Sequence, residues 1–290
     1  MKKIMLLIAA MLLLAGCRKE SESALVSEAA PMQKAIYVAA DAEAAEKEKF
    51  AAAFETRLPA DMLRRILDNY HEFSGDVKTV LKTTDAGLLT LVDKKHFLAA
   101  DFVPADLVAL KTNRDYTVSK TGMYADKQTV DALHKMGQAA IKDGVTLMVS
   151  SAYRSYQYQK NLFARYASQY GEAEAERFSA RAGTSQHQLG TVFDFGSITD
   201  DFAKTKQGRW LTAHAGEFGF SLSFPQGYEA VTGYKWECWH FRYIGCAACE
   251  IQQKWFGDIQ QYTLEVLFWY RKTDAANVAR TSQKKATFLQ

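Results

Sequence analysis

Two of the six histidines in this 290-residue chain stand in company that could hold a metal ion and activate water. His187 opens a segment, Ser185-Gln186-His187-Gln188-Leu189-Gly190-Thr191-Val192-Phe193-Asp194, that ends on a carboxylate. His240 closes Glu237-Cys238-Trp239-His240. A hydrolytic zinc site needs three protein ligands, usually His and carboxylate, and one open position for water. It also needs a carboxylate outside the ligand set to take the water's proton. His187, Asp194 and His240 can supply the ligands, and Glu237 the base. Gly190 lets the chain turn so that the first two converge. Glu237 precedes His240 by an odd offset, which on an extended strand places the two on opposite faces, so the pattern demands a bend or bulge there. His71, His96, His134 and His214 lie in helix-like or loop segments without evident carboxylate partners and read as structural.

The elements that must position these groups follow from periodicity. Residues 126–142 carry Val130, Leu133, Met136, Ala139, Ala140 and Ile141 at helical spacing, and Gly144 stops the run. Residues 145–149 read as a buried strand, 156–170 as a helix, 192–195 as a short strand and 210–218 as a helix ending at Gly219. Residues 235–243 alternate and are aromatic, which suits a strand. The cluster Phe218, Phe220, Phe224 reads as core. This order of elements points to an α+β domain. Upstream, residues 35–56 are rich in Ala, Glu and Lys without Gly or Pro and read as a helix. A second helix follows Pro59, with Met62, Ile66, Leu67 and Tyr70 on one face. The organisation expected is a helical N-terminal segment over 35–87, a body over 88–268, helical after Trp255 to about Tyr270, and a loose polar tail over 269–290.

The N-terminus reads as an export signal. Lys2 and Lys3 precede an uncharged apolar run, Ile4 to Leu14, shorter than the roughly 20 residues a membrane-spanning helix needs. It ends in Leu14-Ala15-Gly16-Cys17 and then charges, Arg18, Lys19 and Glu20. This resembles a bacterial lipobox, with residues 1–16 removed, Cys17 lipidated and 17–34 a polar tether. The expected location is a bacterial membrane's cell-envelope face, held by acyl chains. Losing Lys2 and Lys3 from 36 basic residues leaves a near balance against 33 acidic ones, which gives no argument for nucleic acid or an anionic surface. Cys238, Cys246 and Cys249 cluster in sequence; a structural disulfide or buried thiols is the expected state, with a Cys246/Cys249 redox pair the weaker alternative.

The motifs together resemble the bacterial D-alanyl-D-alanine carboxypeptidases related to the vancomycin-resistance enzymes, the VanY-like zinc peptidases. The family's Ser-x-His-x-x-Gly-x-x-x-Asp element is Ser185, His187, Gly190 and Asp194 here, and its Glu-x-Trp-His element is Glu237, Trp239 and His240. Its upstream Ser-x-Tyr-Arg-Ser-x-x-x-Gln element is Ser151, Tyr153, Arg154, Ser155 and Gln159. Further matches are Leu91-Val92-Asp93-Lys94, Asp101 to Leu107, and Thr232-Gly233-Tyr234. The resemblance spans roughly residues 88 to 268. It implies a small antiparallel sheet flanked by helices, the LAS or hedgehog-like metallopeptidase domain, with the helical segment as an N-terminal extension. It implies that His187, Asp194 and His240 hold Zn2+, with Glu237 as general base. Arg154 would meet the substrate's terminal carboxylate or the oxyanion, Ser185 and Gln159 would hydrogen-bond the peptide, and Tyr153 and Trp239 would shape the pocket wall.

Two positions depart from the family's usual pattern: Cys238 stands where proline is common, and Gln186 where glutamate is. Neither removes an implied ligand. The implied substrate is a peptidoglycan stem peptide ending in D-Ala. An L,D-carboxypeptidase or cross-link endopeptidase could use the same machinery. A peptidoglycan-binding lipoprotein without turnover and a redox protein built on Cys246 and Cys249 are the readings from other classes.

Overall fold

The structure, a computed structural model, describes residues 40–288, with side chains to residue 275. The expected signal peptide, Cys17 and the tether lie outside the described residues. The described residues divide into two compact units, with the boundary between Leu63 and Arg64. In the first, residues 40–54 form helix α1, as their composition favours. Phe50 and Phe54, one turn apart, pack ring against ring at 4.7 Å. Helix α2 (Ala60–Asp68) follows Pro59.

The second unit begins well before residue 88, because helix α3 (Tyr70–Thr83) carries part of its aromatic packing. The Phe73 ring meets Trp255, Phe256 and Tyr270 edge-on at 5.4, 6.0 and 6.3 Å. The hydroxyls of Tyr70 and Tyr270 are 2.8 Å apart. The strands and helices that follow are β1 (Leu107–Ala109), β2 (Tyr116–Val118), β3 (Tyr124–Asp126), α4 (Lys127–Lys142), β4 (Leu147–Ser151), α5 (Tyr156–Tyr170), α6 (Glu172–Phe178), β5 (Val192–Phe195), α7 (Lys206–His214), β6 (Phe220–Leu222), α8 (Glu229–Thr232), β7 (His240–Tyr243), α9 (Cys246–Phe256) and α10 (Gln260–Phe288).

β1 and β3 form an antiparallel ribbon, and the other five strands form one sheet in the order β2-β4-β5-β7-β6. The architecture is α+β as expected. The sheet, however, is mixed rather than antiparallel throughout, since β2 and β4 run parallel. The chain between them crosses over through α4, and a crossover returns a strand in the same direction. Asp126 starts α4 by accepting the Thr129 N–H at 3.2 Å. Val130, Leu133, Met136 and Ala140 then face the core, whereas Ile141 turns outward.

Alternation along the strands separates a core face from a polar face. Val149, Phe193, Phe195, Phe220 and Phe241 pack with Leu133, Met136, Trp210 and Leu211. On β5 and β7, Asp194 and His240 take the opposite face and stand directly across from each other. A register shift between Val149 and Ser151 sets Ser151 against Asp194 on that same polar face. Arg242, two residues after His240, is fully buried there and donates from Nη2 to the Leu88 and Thr90 carbonyls at 2.9 and 2.7 Å. Burial alone pulls its guanidinium down to about 9.

Two sequence expectations change. Of residues 235–243 only His240–Tyr243 is strand; Cys238 and Trp239 form a turn closed by the His240 N–H donating to the Glu237 carbonyl at 3.2 Å. The tail is helical rather than loose past Tyr270, since α10 runs to Phe288 through residues free of Gly and Pro. Of the two thiol states expected, the buried thiol describes Cys238 and Cys249; no disulfide joins them, and Cys246 is a free, exposed thiol. Among the described residues no helix is long and apolar enough to cross a membrane.

Candidate active site

His187 lies on a single 3-10 turn, Gln186–Leu189, that Gly190 ends in a left-handed conformation (φ 72°). A side chain at Gly190 would meet Pro104, Leu107 and the Asp126 backbone at 3.1–3.2 Å, so the reversal that aims His187 back at Asp194 requires glycine twice over. His187 Nδ1 donates to the Ala152 carbonyl at 2.7 Å, which leaves its Nε2 lone pair directed at Asp194 Oδ2, 3.2 Å away. His240 presents the other ring nitrogen: Nδ1 is 3.1 Å from Asp194 Oδ1, while Nε2 points at Gln186 Oε1 at 3.3 Å. The two rings stand edge to face at 4.9 Å.

One atom from each of His187, Asp194 and His240 can be chosen so that all lie within 4.8 Å of one another, and all three residues are buried. Ligands held at about 2.1 Å around a tetrahedral zinc ion are about 3.4 Å apart. Asp194 Oδ1 is buried and accepts no aligned hydrogen bond, a costly state for a carboxylate oxygen unless a cation sits against it. The residues therefore fit a divalent cation with mixed N and O ligands. This is the one group of metal-ligating side chains among the described residues.

The electrostatics agree with that role. Burial, reinforced by the Arg154 charge, pulls His187 down to about 4, so it is the neutral imidazole a metal needs. Burial would raise Asp194, but His187, His240 and Arg154 outweigh it and hold the carboxyl well below its usual range. Glu237 shares the site without joining the ligand set: its Oε2 is 3.4 Å from His240 Nδ1. Burial raises its carboxyl above the ordinary range, with His240 and Arg154 pulling the other way. The turn at Cys238-Trp239 supplies the bend that the Glu237–His240 spacing demanded.

Arg154 follows β4 and is fixed from two sides. Its Nη2 donates to Asp194 Oδ2 at 2.7 Å and to Ser151 Oγ at 2.9 Å, and Nε donates to Ser151 Oγ at 3.1 Å. Gln186 is the functional residue that residue type alone undervalued. Its Oε1 faces His240 and also accepts from Ser223 Oγ at 2.8 Å, while its Nε2 donates to Gln260 Oε1 at 3.4 Å. A carbonyl oxygen can only accept, so this contact fixes the His240 tautomer with the proton on Nε2 and Nδ1 free for metal.

A cleft of about 550 Å3 opens over these groups, lined by Arg154, Gln159, Ser185, Glu237, Trp239 and His240 among others. Phe224, read from sequence as core, lines it too, its ring 4.7 Å from that of His240. Gln159 is buried and its Nε2 donates to the Ala180 carbonyl at 2.7 Å, so it holds the far rim of the cleft. Tyr153 is half-buried and does not line the cleft; its backbone N–H donates to the Tyr124 carbonyl at 2.9 Å and ties β3 in place. Three of the histidines set aside from sequence do have carboxylate partners. His96 meets Asp93 at 2.8 Å, His134 meets Asp115 at 2.7 Å and His214 meets Glu217 at 2.8 Å, none within a metal group.

The arrangement can perform metal-assisted hydrolysis: a buried His pair, one carboxylate ligand, a free carboxylate beside them and a cation facing the cleft. Desolvation would lower His240, but Asp194 and Glu237 outweigh it and hold its imidazole above the usual range, a proton that a bound metal would displace. The family profile of the VanY D-alanyl-D-alanine carboxypeptidases matches residues 122–246. YodJ of Bacillus subtilis, a presumptive carboxypeptidase, is 33% identical over 192 residues, covering 63% of this chain and 70% of its own length. A D-alanyl-D-alanine carboxypeptidase of Enterococcus faecium is 26% identical over 193 residues, 65% of this chain and 59% of that protein. Among solved structures, the LD-carboxypeptidase LdcB superposes with a TM-score of 0.57 at 32% identity, over 61% of this chain and 86% of that one. The D,D-pentapeptidase VanY of the VanB-type vancomycin-resistance cassette, solved in complex with Zn(II), gives 0.52 at 28% identity, over 61% and 99%. The chain belongs to the VanY family of D-alanyl-D-alanine carboxypeptidases.

Proposed function

We propose that the protein is a zinc-dependent D-alanyl-D-alanine carboxypeptidase that removes the terminal D-Ala from peptidoglycan stem peptides. The observation that carries this reading is the convergence of His187 Nε2, Asp194 and His240 Nδ1 on one point beside the free carboxylate of Glu237. A zinc ion held there would supply a Lewis acid and a water of lowered pKa. Glu237 takes the proton of the attacking water on its carboxylate and returns it to the leaving amine nitrogen. Arg154, clamped by Asp194 and Ser151, keeps Nη1 for the substrate's carboxylate or the developing oxyanion, where a fixed cation needs no reorganisation. Ser185 and Trp239 line the peptide's path. The Cys246/Cys249 alternative loses ground because both thiols are raised: Cys249 by deep burial, and Cys246, on the surface, by partial desolvation and the Glu250 charge, the opposite of a reactive pair.

A second reading has a specific observation behind it. LdcB, an LD-carboxypeptidase, resembles this chain at 32% identity. Both activities use the same metal chemistry and differ in the stereochemistry next to the bond cut. Incubation of the zinc-loaded protein with synthetic pentapeptide and tetrapeptide stems decides between them by mass spectrometry. Release of one D-Ala from the pentapeptide is expected. Cleavage of the tetrapeptide alone would assign L,D specificity, and binding to both without cleavage would leave a peptidoglycan-binding protein.

We also take Cys17 as the lipid anchor of an exported protein, on the strength of Leu14-Ala15-Gly16-Cys17. Labelling with an alkyne fatty acid in a bacterial host tests this: the wild type is expected to carry label and Cys17→Ala none.

A further inference from the structure

The cleft extends well beyond the groups that cut the bond, and α5 forms one of its walls. Tyr158, Leu162, Arg165, Tyr166 and Tyr170 all line it and recur at helical spacing. The N-terminal end of α5 lies at the reaction centre, because Arg154, just before the Ser155 cap, donates to Asp194. The later residues therefore stand progressively farther out. Tyr166 and Tyr170 pack against Phe178 at 5.2 and 5.6 Å, which builds a firm aromatic floor. The Arg165 guanidinium lies 5.4 Å over the Tyr166 ring. Stacking of this kind leaves the outward N–H groups of a guanidinium available.

The charge is one-sided out there. The cleft's carboxylates, Asp194 and Glu237, both lie at its base, whereas Arg165 lines it with no carboxylate paired to it among the described residues. The distance can be bounded. Ten residues of helix from Ser155 to Arg165 span about 15 Å. Helical side chains lean toward the N-terminus, which brings the guanidinium to about 10 Å from the Arg154 end. At about 3.3 Å per residue that is about three residues of extended peptide.

We propose that Arg165 forms a carboxylate subsite that reads an acidic residue about three positions ahead of the bond cut. This rests on the carboxypeptidase reading and gives its substrate class a further mark: a stem peptide whose glutamate keeps a free α-carboxylate, rather than one in which it is amidated. Arg165 is thus a specificity residue remote from the chemistry, and Tyr166 positions it.

The test compares three substrates with the zinc-loaded full chain: acetyl-Ala-γ-D-Glu-Lys-D-Ala-D-Ala as free acid, the same peptide with that α-carboxylate amidated, and diacetyl-Lys-D-Ala-D-Ala. For the wild type, kcat/KM is expected to be about tenfold higher for the acid than for the amide, mostly through KM, as suits one partly desolvated charged hydrogen bond. Arg165→Gln is expected to lose that preference, Arg165→Lys to keep most of it, and the diacetyl tripeptide to be cut alike by all three proteins. A wild type indifferent to the amide, or an Arg165→Gln protein that still prefers the acid, overturns the subsite. If the wild type cuts none of the three, the carboxypeptidase reading fails on its own. Titration calorimetry with the acid and amide forms of the tetrapeptide then reads the subsite directly: a tenfold preference abolished by Arg165→Gln supports it, and equal binding overturns it.

Discussion

Glu237→Ala is expected to lower kcat by about a thousandfold while the protein still binds one zinc ion per chain. General base catalysis contributes about 10²–10⁴ in rate, and Glu237 is the carboxylate at the site that is not in the ligand set. Truncating it deprives the attacking water of its proton acceptor without removing a metal ligand. The pH profile gives an independent reading. A base must be deprotonated to act, so wild-type kcat/KM falls as pH drops through the Glu237 pKa. Burial holds that pKa above the ordinary carboxylate range, and a dication at His187, Asp194 and His240 draws it back. In Glu237→Gln, which keeps the shape and loses the charge, the residual rate is expected to be flat through the same range. An unchanged kcat in Glu237→Ala, with zinc still bound, would remove Glu237 from the mechanism.

The site's reactive residues were legible in the sequence because their chemistry constrains type and spacing together. His187 and Asp194 need a reversal between them, and only Gly190, at φ 72° with no room for a Cβ, permits it. Helices with long apolar periodicity were legible for the same kind of reason: α5 spans the residues its pattern indicated, and α4 needed only Asp126 reassigned as its cap. What failed was what pairing decides at long range. β1, β2 and β3 are three residues each, too short to carry a pattern, and exist because the chain elsewhere supplies their partners. The aromatic alternation of residues 235–243 mimicked a strand, but the cleft needs Glu237 and His240 on one side, and the turn that achieves this interrupts the ladder. Phe224 is buried as its aromatic cluster implied, but its ring also walls the cleft beside His240, which no local pattern signals. Gln186 read only as a departure from the family's glutamate, because nothing in the sequence shows that its oxygen faces His240 Nε2 and also accepts from Ser223. His134 and Asp115, nineteen positions apart, had no local signal at all.

Removing the metal is the change expected to reach furthest. Dialysis against a zinc chelator should abolish turnover, and stoichiometric Zn2+ should restore it, because among the described residues His187, Asp194 and His240 are the one group of side chains placed to hold the ion. The structural consequence is as testable as the catalytic one. A cation present at about 1,000 times its dissociation constant stabilises the folded chain by about 4 kcal/mol. For a domain of this size that is about 10 °C in the thermal midpoint. His187→Ala and His240→Ala are each expected to lose this zinc-dependent shift along with activity, since two ligands cannot hold the ion as three do. Gln186→Leu should behave differently. It keeps all three ligands but leaves His240 Nε2 without its acceptor, so the ring is free to present either nitrogen. Zinc affinity should fall about 10–100-fold, the usual cost of losing a partner behind a ligand, with activity recovered at higher zinc. Activity that survives exhaustive chelation, with metal absent by atomic absorption, would show that the buried His-Asp-His cluster serves something other than hydrolysis.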